Sequence, residues 1–243
     1  MSEAPSTKPP IVDRDFAEKF LWAVDRPLDY SVYRMIHEWW SVAPQAAIDD
    51  YAAELASLDG AAEFLAQRHL ADPIALDDLA TCAPGTLGAA YHSFIVDNGL
   101  DANLLVAYRD FHARQESAGK LERLPDDLSY MSVRLSQIHD VAHTIAGFSP
   151  DPAGEIKMAA FHLAQLRYPY HSMRLAVTSA HVAFVSPKHM EAMFDAMSIG
   201  WMMGRRADNL HFGRWEAQLE TPLDEIRTRL GIDRSLDVEL GGR

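Results

Sequence analysis

Cysteine is nearly absent from this chain of 243 residues: Cys82 stands alone. No disulfide can form within the chain, which suits a reducing compartment, and a thiolate-rich structural zinc site is excluded. Cys82 itself reads as a small core or helix-end residue. Basic residues are outnumbered, 22 against 35 acidic, for a net charge of −13. Such a surface repels phosphate backbones and anionic lipid, so neither a nucleic-acid partner nor simple electrostatic membrane adhesion is expected. No apolar run approaches the roughly 20 residues that span a bilayer. Strand-like alternation of Val, Ile and Thr is nearly missing, and no internal repeat or low-complexity segment stands out. Met1 to Pro10 is polar and carries no secretion pattern. The expected location is cytoplasmic, or peripheral on the inner face of the cell membrane.

What is present is an ordinary globular composition, 48% hydrophobic and 23% charged, patterned with the 3.6-residue period of helices. The expected fold class is all-α, a single domain of about ten helices. Residues 1–12 read as a disordered tail, 13–232 as the helical domain and 233–243 as a frayed end. The spacing predicts helices over Asp15–Val24, Asp29–Trp40, Pro44–Leu58, Gly60–Leu70 and Asp77–Cys82. Another is opened by Pro84-Gly85-Thr86-Leu87-Gly88 and runs to about Asp97; more follow over Leu104–Ser117, Asp126–Ala146, Tyr170–Val185 and Lys188–Gly204, and Trp215–Leu219 reads as a short one. In the Asp126–Ala146 helix, Leu128, Met131, Leu135, Ile138, Ala142 and Ile145 are spaced for burial. Near the end, Thr221 is expected to cap a helix that starts at Pro222 and stops at Gly231.

The densest chemistry lies at His139-Asp140-Val141-Ala142-His143, followed by eleven residues and Glu155. On a helix, His139 and His143 are i and i+4 and project from one face. Asp140 lies about 100° around from His139, so it reads as a fourth ligand or as an acceptor for a histidine N–H. In the spacer, Gly147 can close one helix and the Ser, Pro and Asp cluster keeps it from resuming. Glu155 then opens a second helical run. Two imidazoles and one or two carboxylates suit zinc and other borderline divalent metals. An ordinary pair of histidines and a dipole-favoured first-turn glutamate is the plain alternative.

These residues carry a resemblance. The motif resembles the signature of the coenzyme Q biosynthesis protein 4 family. Ala83-Pro84-Gly85-Thr86-Leu87-Gly88-Ala89-Ala90-Tyr91, the run from Gly154-Glu155 through Phe161 to Gln165, and Trp215-Glu216, Pro222, Arg227, Leu230, Gly231 and Ile232 are similar to further family segments, in family order. The likeness covers about Pro84 to Ile232 and is weaker over the first 80 residues. It implies an all-helical protein of ubiquinone biosynthesis that associates with other quinone-biosynthesis proteins at a membrane. It implies either a scaffold or a protein that replaces the ring C1 carboxyl of a prenylated hydroxybenzoate with oxygen. It also implies a divalent metal, usually zinc, held by His139, Asp140, His143 and Glu155.

Zinc cannot change oxidation state. An oxidative decarboxylation therefore calls for iron, cobalt or manganese, or for an electron-rich ring that itself reacts with oxygen. Arg134, five residues before His139, is a candidate for a substrate carboxylate; a surface ion pair is the alternative. Met190, Met193, Met197, Met202 and Met203, with Phe194 and Trp201, form a stripe read mainly as core, with a prenyl-lipid channel as the sharper reading. Met197 and Trp201 are its substrate-facing candidates. His162, two turns after Glu155, is read mainly as a core or surface residue, as are His171, His181, His189 and His211. Trp39 and Trp40 with Tyr30 and Tyr33 read as an aromatic anchor. The apolar stripes suggest a homodimer.

Overall fold

The computed structural model describes residues 14–26, 39–40, 42–100, 104–119, 121–235 and 237. Among them are eleven α-helices. They are α1 (Arg14–Asp25), α2 (Gln45–Ala56), α3 (Ala61–Gln67), α4 (Leu76–Ala80), α5 (Leu87–Asp97), α6 (Leu104–Ser117), α7 (Asp126–Ala146), α8 (Pro152–Leu166), α9 (Pro169–Val185), α10 (Met190–Arg206) and α11 (Leu223–Leu230). Two single 3-10 turns, Pro187–His189 and Trp215–Ala217, complete the described helical structure. The only β-type pairing among the described residues is one antiparallel bridge, Thr86 to Pro222. The all-α expectation holds. The expected tail at 1–12, Tyr30 and Tyr33, and most of the expected Asp29–Trp40 helix lie outside the described residues, as do most of 233–243.

Helix α7 is the spine. Its first half, through Leu128, Tyr130, Met131 and Leu135, joins one apolar cluster with Ile48 and Leu55 of α2 and Phe64 of α3. Its second half, through Ile138, Val141, Ala142 and Ile145, joins a second cluster with α5, α8, α10, Trp215 and α11. All six residues spaced for burial are buried. Full burial of each large side chain contributes roughly 1.5–3 kcal/mol, so the helix is held from both ends of its length. A smaller cluster joins Phe16, Ala23 and Val24 of α1 to Val177 of α9. Helices α8 and α10 approach closely because a Cβ at Gly200 would collide with the carbonyl of Lys157, and one at Gly204 would meet the carbonyl oxygen of Phe161 at 2.7 Å. In the methionine stripe, Met193 and Met203 are core, and Met202 is exposed.

Two expected starts move. The helix expected from Glu155 begins at Pro152, because Asp151 caps it by accepting the Gly154 N–H at 2.8 Å and Pro152 supplies a preset φ. The last helix begins at Leu223, with no side-chain cap from Thr221. The Thr221 carbonyl instead accepts the Leu87 N–H at 2.9 Å, and the Gly85 carbonyl accepts the Leu223 N–H at 3.0 Å. Backbone pairing to the start of α5 fixes this turn and takes precedence over a local cap. Cys82 follows α4, half-buried, as a helix-end residue.

Candidate metal centre

The hairpin between α7 and α8 assembles the site. Gly147 takes the left-handed conformation, φ 77°, and its N–H donates to the carbonyl of His143 at 2.8 Å. Phe148 N–H donates to the same carbonyl at 3.1 Å, and Arg227 donates to the carbonyls of Ile145 at 2.9 Å and Thr144 at 3.1 Å, so the end of α7 is capped by backbone and side chain together. The chain turns within five residues and α8 starts, with Glu155 in its first turn. The sequence encodes each step: a glycine where φ is positive, then Ser149 donating to the Asp151 carboxylate, then the Asp-Pro start.

The turn carries Glu155 back onto the histidine face. Glu155 Oε1 lies 3.5 Å from His139 Nε2 and 3.3 Å from His143 Nε2. The ring centroids of His139 and His143 are 4.7 Å apart. One ligand atom from each of the three lies within 4.8 Å of the others, and among the described residues no other set of three histidine, cysteine or acidic side chains converges this way. His143 is fully buried; His139 and Glu155 are half-buried. Asp140 stays outside this convergence. Its charge interacts with the site and with Tyr91, and burial raises its carboxyl above the usual range against the pull of both histidines.

The tautomer of His143 decides what the centre can accept. Its Nδ1 lies 3.2 Å from the carbonyl oxygen of Phe148, which can only accept. Nδ1 therefore carries the proton, and Nε2 presents a lone pair toward a carboxylate oxygen. Nε2 has no hydrogen-bond partner although it is buried. Two acceptors facing one another call for a cation between them: a proton, which makes His143 the ion-pair partner of Glu155, or a divalent metal, which the residues present fit. Glu155 is held ready for one. Burial opposes its charge, but His139, His143 and the guanidinium of Arg174 outweigh this and keep its carboxyl well below the usual range. Arg174 of α9 donates to Oε2 at 2.6 Å, leaving Oε1 for the histidines.

A cavity of about 80 Å³ opens beside His139, lined by Ser136, His162, Tyr168, Tyr170, His171 and Arg174 among others. His162, read mainly as a core or surface residue, is buried and also lines this cavity, its ring 5.8 Å from that of His139. Arg134, in contrast, is turned away. It is 1% exposed and donates to Gln137, the Gly213 carbonyl and Glu216. Five residues carry it about 140° around α7 from His139. Met197, half-buried, and Trp201, 43% exposed, lie on α10 and do not line this cavity. Sequence reasoning missed Arg174, Tyr168 and Tyr170, which arrive from α9 and its lead-in with no local signal.

Residues 55–235 match the family described as Coenzyme Q (ubiquinone) biosynthesis protein Coq4. The chain belongs to this family. Among curated Coq4 relatives, the mitochondrial COQ4 homolog of Nematostella vectensis is 27% identical over 161 residues, 65% of this chain and 70% of that protein. Mitochondrial COQ4 of Phaeosphaeria nodorum is 29% identical over 159 residues, 64% of this chain. The chain spans less than half of that fungal relative, 48% of its length. A crystal structure from Nostoc punctiforme, which carries the provisional description of a ubiquinone biosynthesis protein, superposes with a TM-score of 0.70 at 24% identity. It covers 90% of this chain and 95% of that one, and the likeness concerns the fold.

Proposed function

We propose that this chain is a metal-dependent protein of the ubiquinone pathway that acts on a prenylated 4-hydroxybenzoate-type precursor. With dioxygen as the oxidant, the ring C1 carboxyl leaves as carbon dioxide and one oxygen atom takes its place; the other leaves as water, the electron-rich ring supplying the electrons as it passes to the quinone level. The observation that supports this most is the convergence of His139, His143 and Glu155 within 4.8 Å in a Coq4 chain. Those three residues would hold the metal, zinc by family resemblance, or iron, cobalt or manganese if the metal itself changes oxidation state. A bound divalent ion supplies Lewis acidity toward a phenolate or carboxylate oxygen.

The remaining steps belong to the chain. The Phe148 carbonyl fixes the His143 tautomer, and Arg174 fixes the Glu155 carboxylate. Asp140, whose charge interacts with Tyr91 and both histidines, is the proposed acidic residue beside the ligands. Arg174 also lines the cavity beside His139, so the same guanidinium meets a carboxylate that enters it.

A second reading, a scaffold that organises quinone-biosynthesis enzymes on a prenyl lipid or membrane surface, has its own observation. Phe184 and Val185 at the end of α9, and Phe194, Trp201 and Met202 on α10, are 39–82% exposed. No described helix is long and apolar enough to cross a membrane. Metal-loaded protein incubated with the carboxylated precursor and oxygen separates the two. Release of carbon dioxide that disappears in Glu155→Gln and His139→Ala supports the catalyst. Full restoration of quinone synthesis in a deficient strain by a variant lacking all three residues would overturn it.

A further inference from the structure

Beyond His139 lies a second group of imidazoles that the proposed function does not use. His162 of α8, His171 of α9 and His211 in the loop after α10 are 2%, 5% and 0% exposed. The His162 ring centroid is 4.7 Å from that of His171 and 4.6 Å from that of His211. All six ring nitrogens are buried, and none bonds to another protein group. A neutral imidazole carries one N–H and one lone pair, and buried polar atoms nearly always find partners. Three side by side that find none among protein atoms are suited to a ligand from outside the chain.

The surroundings narrow that ligand. The cavity of about 80 Å³ is bounded by His162 and His171. It has room for a few waters at roughly 30 Å³ each and is smaller than the ~150 Å³ that admits a benzene ring. A hydrated ion fits there whole, whereas an aromatic substrate can insert no more than its carboxylate. Two imidazoles sharing a metal at about 2.1 Å place their ring centres about 4.6 Å apart at right angles and about 5.3 Å apart in a tetrahedron. The two spacings about His162 sit at the right-angle end, as does the 4.7 Å between His139 and His143, while His171 and His211 make no ring contact with each other. No carboxylate lines the cavity, and Arg174 beside His171 is engaged by Glu155. Neutral nitrogen donors favour zinc, copper, nickel or cobalt over the oxygen-seeking magnesium and calcium.

We propose that His162, His171 and His211 hold a second divalent metal ion of this borderline class, next to the His139, His143 and Glu155 centre, with cavity water in the open positions. The three do not converge as tightly as the first set. Binding therefore includes rotation of the His171 and His211 rings toward His162. Their edge-on contacts, 62° and 76° to its plane, involve no hydrogen bond that must break.

The test is a count. Chelator-stripped protein is titrated with cobalt(II), followed by visible absorbance, and bound metal is measured after dialysis. The expected result is about two ions per chain for the unaltered protein and about one for His162→Asn, with the triad's absorbance band retained. His143→Ala keeps the other ion and loses the triad band. About one ion in the unaltered protein, or an unchanged count in His162→Asn, overturns the proposal. If His162→Asn does not fold, His171→Asn and His211→Asn carry the same count. A triad variant that keeps every ion counts against the reading of the triad and leaves this one standing.

Discussion

The molecule builds the same trio of residue types twice, an arginine and a histidine gripping one glutamate, and to different ends. At one place Arg134 and His69 hold Glu216. At the other Arg174, His139 and His143 surround Glu155. The first is closed. Arg134 is 1% exposed and donates to Gln137 at 2.6 Å, the Gly213 carbonyl at 2.9 Å and both oxygens of Glu216. Gln137 in turn exchanges hydrogen bonds with the backbone of Ala71. Both terminal nitrogens of Arg134 are used, and the result ties the segment before α4 to α7 and to the Trp215 turn. The second is open, because a buried histidine nitrogen aims a lone pair at a carboxylate. What separates a structural clamp from a binding centre here is the satisfaction of its atoms and not the identity of its residues.

The largest expected effect breaks the closed side. Arg134→Ala strands Glu216 and should cost about 3–5 kcal/mol of stability, the range for removing one partner of a buried ion pair. Denaturant unfolding measures it, and metal affinity in the same variant should be unchanged. A pH dependence follows with a definite sign. Burial opposes the charge on Glu216, but backbone hydrogen bonding, Arg134 and His69 win and hold its carboxyl below the usual range. A depressed carboxyl contributes stability that is fully present above the ordinary glutamate pKa and is lost as pH falls through the lowered value. The stability gap between the unaltered protein and Glu216→Gln should therefore narrow in acid. A gap that widens below pH 5 would show that Glu216 is not held as its charged form.

On the open side the expected effect is smaller and of another kind. Arg174 is 30% exposed at its side chain, so its bond to Glu155 adds roughly 0–1 kcal/mol to stability. Its value lies in orienting a ligand. Arg174→Gln should lower metal affinity about 10–100-fold, the usual effect of losing an outer partner, while melting almost as the unaltered protein does. Competition with a chromophoric chelator measures the affinity. If Arg174→Gln melts like Arg134→Ala and binds metal normally, both constellations are clamps and the comparison collapses.

How much of this could be read from the sequence differs between the two in the same way. The triad was legible because its members are local. His139 and His143 share a helix face, Gly147 and Asp151-Pro152 announce a hairpin, and Glu155 follows at once. The bounds of α7 were equally plain, since the apolar spacing runs without interruption from Leu128 to Ile145. The clamp was legible only in part: a position five residues before His139 reads as a substrate contact or a surface ion pair, and Arg134 makes an ion pair that is buried. Periodicity says which face of a helix a residue occupies, but not which distant segment covers that face. Glu216 and Gly213 cover Arg134 from about 80 residues away. Arg174, His171 and His211 are hidden for the same reason. Thr221 failed differently: its cap pattern is sound locally, but the Leu87 N–H claims its carbonyl.

The smallest expected effect tests whether the hairpin itself sets the open centre. Gly147 sits at φ 77°, where an alanine costs about 1 kcal/mol. A Cβ there would also meet the Arg234 guanidinium at 2.6 Å, the far end of a side chain that can swing aside. Gly147→Ala should therefore lose about 1 kcal/mol in denaturant unfolding and still fold. Gly147 is the pivot between His143 and Glu155, so relaxing its strain moves the two ligand-bearing helices relative to each other. The same variant should lose metal affinity by less than about tenfold, with the Arg134 clamp untouched. A full loss of metal at this small energetic cost would mean that the hairpin angle governs the centre more than Arg174 does. No change at all would mean that packing of α7 against α8, through Ile138, Val141, Met158 and Phe161, already fixes the angle without help from the turn.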